Sequence, residues 1–220
     1  KAAFMMEPAR ANGKVVTGRD GGDLVKLEAF GRSSHAGNAF EDGVSAVHGL
    51  CAVVAELAGL SDAQAGYSTN VGLISGGDGA IIVAPHAEAE VYTRFSTVEQ
   101  RGYLLTSFER IARAHSRNGL KITLSRPVGF LPFLPNERNQ SLFDAVRQAG
   151  EMLGVKIEGM NVRGAADAGV PSCAGIPTIC GMGPVGGGLH TDREFMVTAS
   201  LEERLRVAVM AAILADRRFS

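Results

Sequence analysis

Across residues 24–30 (Leu-Val-Lys-Leu-Glu-Ala-Phe) apolar and polar side chains alternate, the period of a half-buried strand. Over residues 43–60 the period lengthens. Val44, Val47, Leu50, Cys51, Val54 and Leu57 recur at helical spacing and predict an amphipathic helix. Two strand-like runs follow, over 67–75 and 80–95, parted by the turn signal Gly76-Gly-Asp-Gly79. Residues 96–99 (Ser-Thr-Val-Glu) predict a capping box for a helix reaching about Arg117, where Asn118-Gly119 stops it. Residues 120–124 make a further strand. From Asp23 to Arg126 the order is therefore β-α-β-β-α-β, the pattern of a ferredoxin-like split sandwich.

Beyond Arg126-Pro127 the texture changes. Residues 136–154 read as a helix, 155–162 as a strand and 163–168 as a glycine-containing turn. Pro177-Thr-Ile-Cys180 is a short buried strand. Residues 200–203 (Ser-Leu-Glu-Glu) cap a last, strongly apolar helix. Strands alternating with helices predict a parallel-type α/β layer. The first 17 residues hold two short strands with no domain of their own, so they are assigned to this C-terminal layer. The expected organisation is 1–19 and 127–220 as parts of one domain, with 20–126 inserted between them.

Composition narrows the function class. The 220 residues are 45% hydrophobic and 20% charged with net charge −1, which argues against a disordered chain and against a basic nucleic-acid binder. No apolar run approaches the roughly 20 residues that cross a bilayer. Cys51, Cys173 and Cys180 have no metal-finger spacing and read as buried thiols in a reducing compartment, which favours the cytoplasm. The 28 glycines exceed the roughly 7% norm and gather at 18–22, 76–79, 163–169 and 181–188, loops able to carry sites. The sequence opens inside a strand without an initiator methionine, as expected of a piece of a longer protein.

Two segments carry candidate chemistry. Phe4-Met-Met-Glu7-Pro8 ends an apolar run on a carboxylate, and proline, lacking an amide hydrogen, stops the strand there. Gly186-Gly-Gly-Leu-His190-Thr-Asp192-Arg-Glu194 sets an imidazole at the end of a loop free to turn tightly. Either Glu7 is an ordinary loop carboxylate and His190 a loop histidine, or the two meet in one pocket where an ion could be held. Asp192 either orients the His190 ring or caps its turn, and Asp167 either shapes its loop or supports the site. His48 reads as a packed helical histidine, His86 and His115 as surface residues.

The ordered set Glu7-Pro8, Gly31-Arg-Ser-Ser-His35-Ala-Gly37, Gly43-Val-Ser-Ala46, Asn70-Val-Gly72, Val91-Tyr-Thr-Arg94, Arg126-Pro127, Gly164-Ala-Ala-Asp167, Gly175-Ile-Pro177 and Gly186 to Glu194 resembles the co-catalytic zinc peptidases. That family includes glutamate carboxypeptidase, acetylornithine deacetylase, succinyl-diaminopimelate desuccinylase and aminoacylase. Glutamate carboxypeptidase is the most similar. The resemblance implies a catalytic domain interrupted by a lid that also forms a homodimer, and a site with two zinc ions. Glu7 would be a ligand of one ion and His190 of the other. His35 would reach the partner subunit's active site and polarise the scissile carbonyl. Arg126 and Gly164 would contact the substrate, with Arg126 gripping its free carboxylate, and Arg94 would either contact it too or form an ion pair within the lid.

Departures from the family accompany these matches. Tyr92 stands where the family has the aspartate of its Asp-x-Arg strand, and 81–85 (Ile-Ile-Val-Ala-Pro) lack its asparagine. The family's first zinc histidine, bridging aspartate, general-base glutamate and adjacent ligand glutamate have no counterpart in these residues. Cleavage of an N-acyl or peptidyl amino acid is the expected reaction of the complete protein. The 220 residues alone are expected to be inactive, with the other half of the catalytic domain as a needed partner. The rival expectation is a non-catalytic dimerisation or small-ligand module built on the ferredoxin-like unit.

Overall fold

Residues 1–219 are described by the computed structural model. Strands β1 (Ala3–Phe4) and β2 (Val15–Arg19) come first. They are followed by β3 (Gly21–Phe30), α1 (Ala46–Ala58), β4 (Ser68–Gly76), β5 (His86–Phe95), α2 (Val98–His115), β6 (Lys121–Leu124) and β7 (Val128–Phe130). The last third holds α3 (Glu137–Met152), β8 (Gly159–Val162), α4 (Gly169–Cys173), β9 (Thr178–Ile179), β10 (Gly186–Gly187), β11 (Phe195–Met196) and α5 (Ala199–Phe219). The chain divides into two units, Lys1–Gly21 with Phe130–Ser220, and Gly22–Gly129.

The second unit is the split sandwich. Its sheet runs β4-β5-β3-β6, with β4 against β5 and β3 against β6 antiparallel. The strand period turns Val25, Leu27 and Ala29 of β3 and Ala87, Ala89 and Val91 of β5 onto one face. Leu50, Val53 and Leu57 of α1 and Phe108 and Ile111 of α2 cover that face and close the core. The other face is polar, with Lys26 to Glu88 at 2.7 Å and His86 to Glu28 at 3.6 Å. At the start of β3, Asp23 is 1% exposed and accepts from Nε (2.6 Å) and Nη2 (3.2 Å) of Arg101. A Cβ on Gly129 would lie 1.9 Å from the Gly22 carbonyl oxygen, so β7 and the head of β3 touch backbone to backbone.

Two boundaries differ from expectation here. Residues 80–85 are not part of β5, which begins at His86. Pro85 cannot donate to a ladder. The preceding residues bond elsewhere instead, Val83 N–H to Ser34 O at 2.9 Å, while the Ala84 carbonyl accepts from Ala46 N–H at 2.8 Å. The capping box of α2 is shifted by one residue. Thr97 accepts from the Gln100 amide at 3.2 Å and Gln100 Oε1 accepts from the Thr97 amide at 3.2 Å.

In the first unit β1 pairs in parallel with β9 and β2 in parallel with β8, so the opening residues do take their partners from the C-terminal part. Leu142, Val146 and Ala149 of α3 and Val207, Ala211 and Ala215 of α5 enclose Val15, Ile179 and Met182. Asn136 caps α3 by accepting from the Asn139 amide at 2.8 Å. Strand β8 is shorter than the expected 155–162, because Val155 N–H turns back to Gly150 O at 2.8 Å to close α3 through Gly154 at φ 71°. Helix α5 starts at Ala199, one residue before the expected cap. The Ser200 hydroxyl accepts from Val185 N–H at 2.8 Å and donates to Val197 O at 2.6 Å. Short α4 has no apolar period to announce it. Among the described residues no helix is long and apolar enough to cross a membrane.

Candidate metal-binding and substrate-binding residues

The Glu7 segment lies beside the glycine loop that leads to His190. Met182 N–H donates to Met5 O at 3.2 Å, Gly183 N–H to Glu7 O at 2.9 Å, and Ala9 N–H to Pro184 O at 2.9 Å. A parallel bridge between Ala9 and Val185 continues the pairing. A Cβ on Gly183 would lie 2.5 Å from Met6 O, so only glycine admits this approach. Glu7 is exposed at the tip of that run. Beneath it, Arg204 of α5 is 3% exposed and donates from Nε to Gly183 O at 3.2 Å and from Nη2 to Gly181 O at 3.1 Å. Burial pulls its guanidinium below the ordinary arginine range.

His190 follows the β10–β11 hairpin's first strand and has φ 63°, a left-handed conformation unusual for a residue with a β-carbon. Its backbone N–H donates to Glu194 Oε2 at 3.2 Å, and Thr191 ties back to Gly188 O through its amide (3.1 Å) and hydroxyl (2.7 Å). The carboxylate that braces the loop is thus Glu194, a role not anticipated for it. Pro8, Leu189 and Glu194 line one open cleft of about 280 Å³ with Pro184, Gly186, Phe195 and Met196. The immediate chain neighbours of Glu7 and His190 therefore share a depression. Among the described residues no three His, Cys, Asp or Glu side chains come together as a metal-binding group. Carboxylate oxygen and imidazole nitrogen suit a zinc-type ion, but one such donor per ion leaves most of the four positions that it takes unfilled.

Gly164 is exposed in the turn after β8, and its carbonyl accepts from Arg19 Nη1 at 2.8 Å. Arg19, 7% exposed, also donates from Nε to Cys180 Sγ at 3.3 Å. Of the three cysteines Cys180 is buried as expected, whereas Cys51 and Cys173 are exposed. Each sits one step off the buried stripe of its short or small-residue helix.

In the second unit His35 is exposed on the loop after β3, held by a bridge to Ile82 and by Ala36 N–H to Ile81 O at 2.9 Å. Its Nδ1 accepts from the amides of Gly37 and Asn38, both at 3.1 Å. The neutral ring therefore carries its proton on Nε2, which is left to donate outward. His48 is exposed rather than packed. It turns away from the Leu50 and Val53 face of α1 and lines a cleft of about 430 Å³ with Ala36, Phe40 and Ile82. His86 lies against Phe30 with the rings tilted by 47° (centroids 5.1 Å), and His115 meets Glu56 at 2.7 Å.

Arg94 donates from Nη1 to Gly66 O at 3.1 Å, and Arg126 is exposed just past β6. Strand pairing fixes their separation from His35. The Asp23 amide donates to Thr93 Oγ1 (3.3 Å) and Ser125 N–H donates to Lys26 O (2.8 Å), whereas Gly31 N–H donates to Pro85 O (2.8 Å). Arg94 thus leaves one end of the sheet and His35 the other. The seven steps from Asp23 to Phe30 amount to roughly 23 Å. His35 and Arg94 do not converge within one copy of this unit.

Residues 17–120 match the family model described as the peptidase dimerisation domain, M20_dimer. No curated protein is similar enough in sequence to count as a match. Among solved structures, a tripeptidase from Staphylococcus aureus is 21% identical, with TM-score 0.76 over 98% of this chain and 57% of its own. The aminobenzoyl-glutamate utilization protein of Klebsiella pneumoniae is 19% identical, with TM-score 0.68 over 96% of this chain and 51% of its own. The YXEP protein of Bacillus subtilis, described as a dinuclear metal binding peptidase from the M20 family, is 14% identical, with TM-score 0.67 over 98% and 57%. The chain spans little more than half the length of these structures. The resemblance read from the sequence holds: the chain carries the peptidase dimerisation domain of the M20 peptidases, within a fold shared with solved structures of that group.

Proposed function

We propose that these residues belong to a metal-dependent hydrolase that cleaves the amide bond of a peptidyl or N-acyl amino acid, in the manner of glutamate carboxypeptidase. The observation that carries the reading is the pairing of the Glu7 segment with the glycine loop ending at His190. That pairing brings Pro8 and Leu189, the chain neighbours of Glu7 and His190, into the lining of one cleft, which supports a shared site. Glu7 and His190 would each give one ligand to a two-ion centre, preferably of zinc. The ion, when bound, supplies Lewis acidity toward the scissile carbonyl and acidifies a water. Two donors cannot complete such a centre, so further ligands and a general base must come from protein outside these residues. The chain spans only 51% of the aminobenzoyl-glutamate utilization protein, and the likeness to a protein of that substrate favours a glutamyl leaving group.

The other residues fit roles in substrate recognition. Arg126 and Arg94 offer the planar fork that matches a carboxylate, which lysine does not reproduce. Gly164 would let a substrate approach the backbone closely. His35 has its Nε2–H directed outward, as stabilisation of a developing oxyanion requires. Its place at the far end of the sheet from Arg94 supports action in the active site of the partner subunit. The exposed edge of β4 fits a homodimer made through this domain.

Metal content and turnover test the reading together. With zinc added, the 220 residues alone should hydrolyse neither tripeptides nor N-acyl glutamates. The protein as isolated from its source should carry about two metal ions and hydrolyse one of these classes, and Glu7→Ala or His190→Ala should lower both properties. A metal-free natural protein that still dimerises would favour the rival reading, a dimerisation module without catalysis.

A further inference from the structure

Helices α3 and α5 enclose the same core but turn different faces outward. In α3 the exposed positions are Glu137, Arg138, Gln140, Arg147, Gln148 and Glu151, with Met152 the one apolar residue among them, at the C-terminal end. A polar outer face of this kind belongs against water. Helix α5 sends Val207, Ala211 and Ala215 into the core, yet Leu201, Leu205, Val209 and Ile213 stay 50%, 57%, 54% and 48% exposed.

These four side chains recur at every fourth position, so they form one ridge that winds by about 40° at each step and sweeps an arc of about 120°. An arc that wide is the stripe with which a helix faces a core. Rows at this spacing are also the ridges that fit the grooves of a second helix. Charge stands to one side of the ridge, where Glu202 and Arg206 pair with each other at 2.6 Å. The strands of this unit show the same open flank. Among the described residues β1 pairs with β9 alone, in parallel. Parallel layers are ordinarily covered by helices on both faces. A helix that carries apolar residues on its outer side as well as its inner one is built to be enclosed.

We infer that the ridge of Leu201, Leu205, Val209 and Ile213 is the seat of a helix supplied by the rest of the catalytic domain. The occupant follows from length. Two solved structures that share this fold at TM-scores of 0.76 and 0.67 match 98% of this chain with only 57% of their own. A large part of each therefore lies beyond the match, and it must meet the matched part across an apolar face. The seated helix brings apolar side chains between the residues of the ridge and leaves the Glu202 and Arg206 pair at the rim. A second copy of this chain is the weaker occupant, because self-association has a surface of its own in the bare β4 edge of the other unit. The inference rests on the hydrolase reading only in taking the remainder as part of a catalytic domain.

Thiol labelling tests this on two forms, the 220-residue chain and the protein at its natural length. Leu205→Cys places a probe on the ridge, and Gln148→Cys places one on the polar face of α3. Peptide mass spectrometry separates both from the native Cys51, Cys173 and Cys180. In the 220-residue chain the two probes should react within about threefold of each other, since each is open to water. In the natural protein the Leu205→Cys probe should slow by roughly tenfold or more, while Gln148→Cys keeps its rate. Equal rates for Leu205→Cys in the two forms overturn the inference. So does a Leu205→Cys probe that is already protected in the 220-residue chain and becomes reactive on dilution, because the occupant is then a second copy. Should Leu205→Cys fail to fold, Val209→Cys, about one turn further on, gives the same comparison. The labelling needs neither metal nor turnover, so a natural protein that lacks both refutes the hydrolase reading and leaves this test intact.

Discussion

Single side chains set the site by conformations and contacts that cost free energy locally. His190 holds a left-handed backbone, a strain of order 1–3 kcal/mol that the Gly188 turn and the Glu194 carboxylate must sustain. Its loop was legible in the sequence because glycines flank it. Arg204 was not, since an arginine inside an apolar helix reads as a residue facing water. On the surface, Glu158 lies between Lys14 (3.0 Å) and Lys156 (2.5 Å), which pull its carboxyl down from 4.5 to about 2, the Lys156 hydrogen bond most strongly. A depressed folded-state pKa means stability that is present above pH 4.5 and lost as pH falls toward 2. Glu158→Gln should flatten that part of a urea-derived stability curve, and 1 M salt should mute the difference, since the group is exposed. An unchanged slope below pH 4.5 would show that the two lysines do not act on it in the folded state.

Elements with a sustained period could be read from the chain, and those shaped by a single bond could not. The alternation in β3 and the helical stripes of α1, α2 and α3 each appear within a few residues of expectation, because burial of one face dictates them. The head of β5 and the start of β8 were misread, and α4 was not anticipated. Their limits depend on Pro85, on the Gly154 turn and on a five-residue helix whose register no stripe reveals. The α2 cap shows the same limit at one residue's resolution, Thr97 standing in place of Ser96. Thr97→Ala should cost about 1 kcal/mol, seen as a lower urea midpoint with unchanged m-value. An unaltered midpoint would mean that the Gln100 arm alone holds the helix start.

At the scale of the molecule, the second unit presents β4 as an open sheet edge on which Leu73 and Ile74 are 63% and 51% exposed. A bare apolar edge invites pairing with another strand. Ile74→Lys should therefore shift the protein from dimer to monomer in sedimentation without altering its melting by more than about 0.5 kcal/mol. A protein that is monomeric before the substitution would remove the basis of that expectation. The ferredoxin-like order was visible from sequence because three of its strands are long and both of its helices carry an apolar stripe. What the pattern could not reveal is the contact at Gly22 and Gly129, where entering and departing backbones abut with no room for a side chain. A stretch of polypeptide whose doorway and exit coincide is a cassette. A host chain can gain or shed it by a splice of a few residues, and its two ends can be sewn together to make a ring without disturbing what lies between.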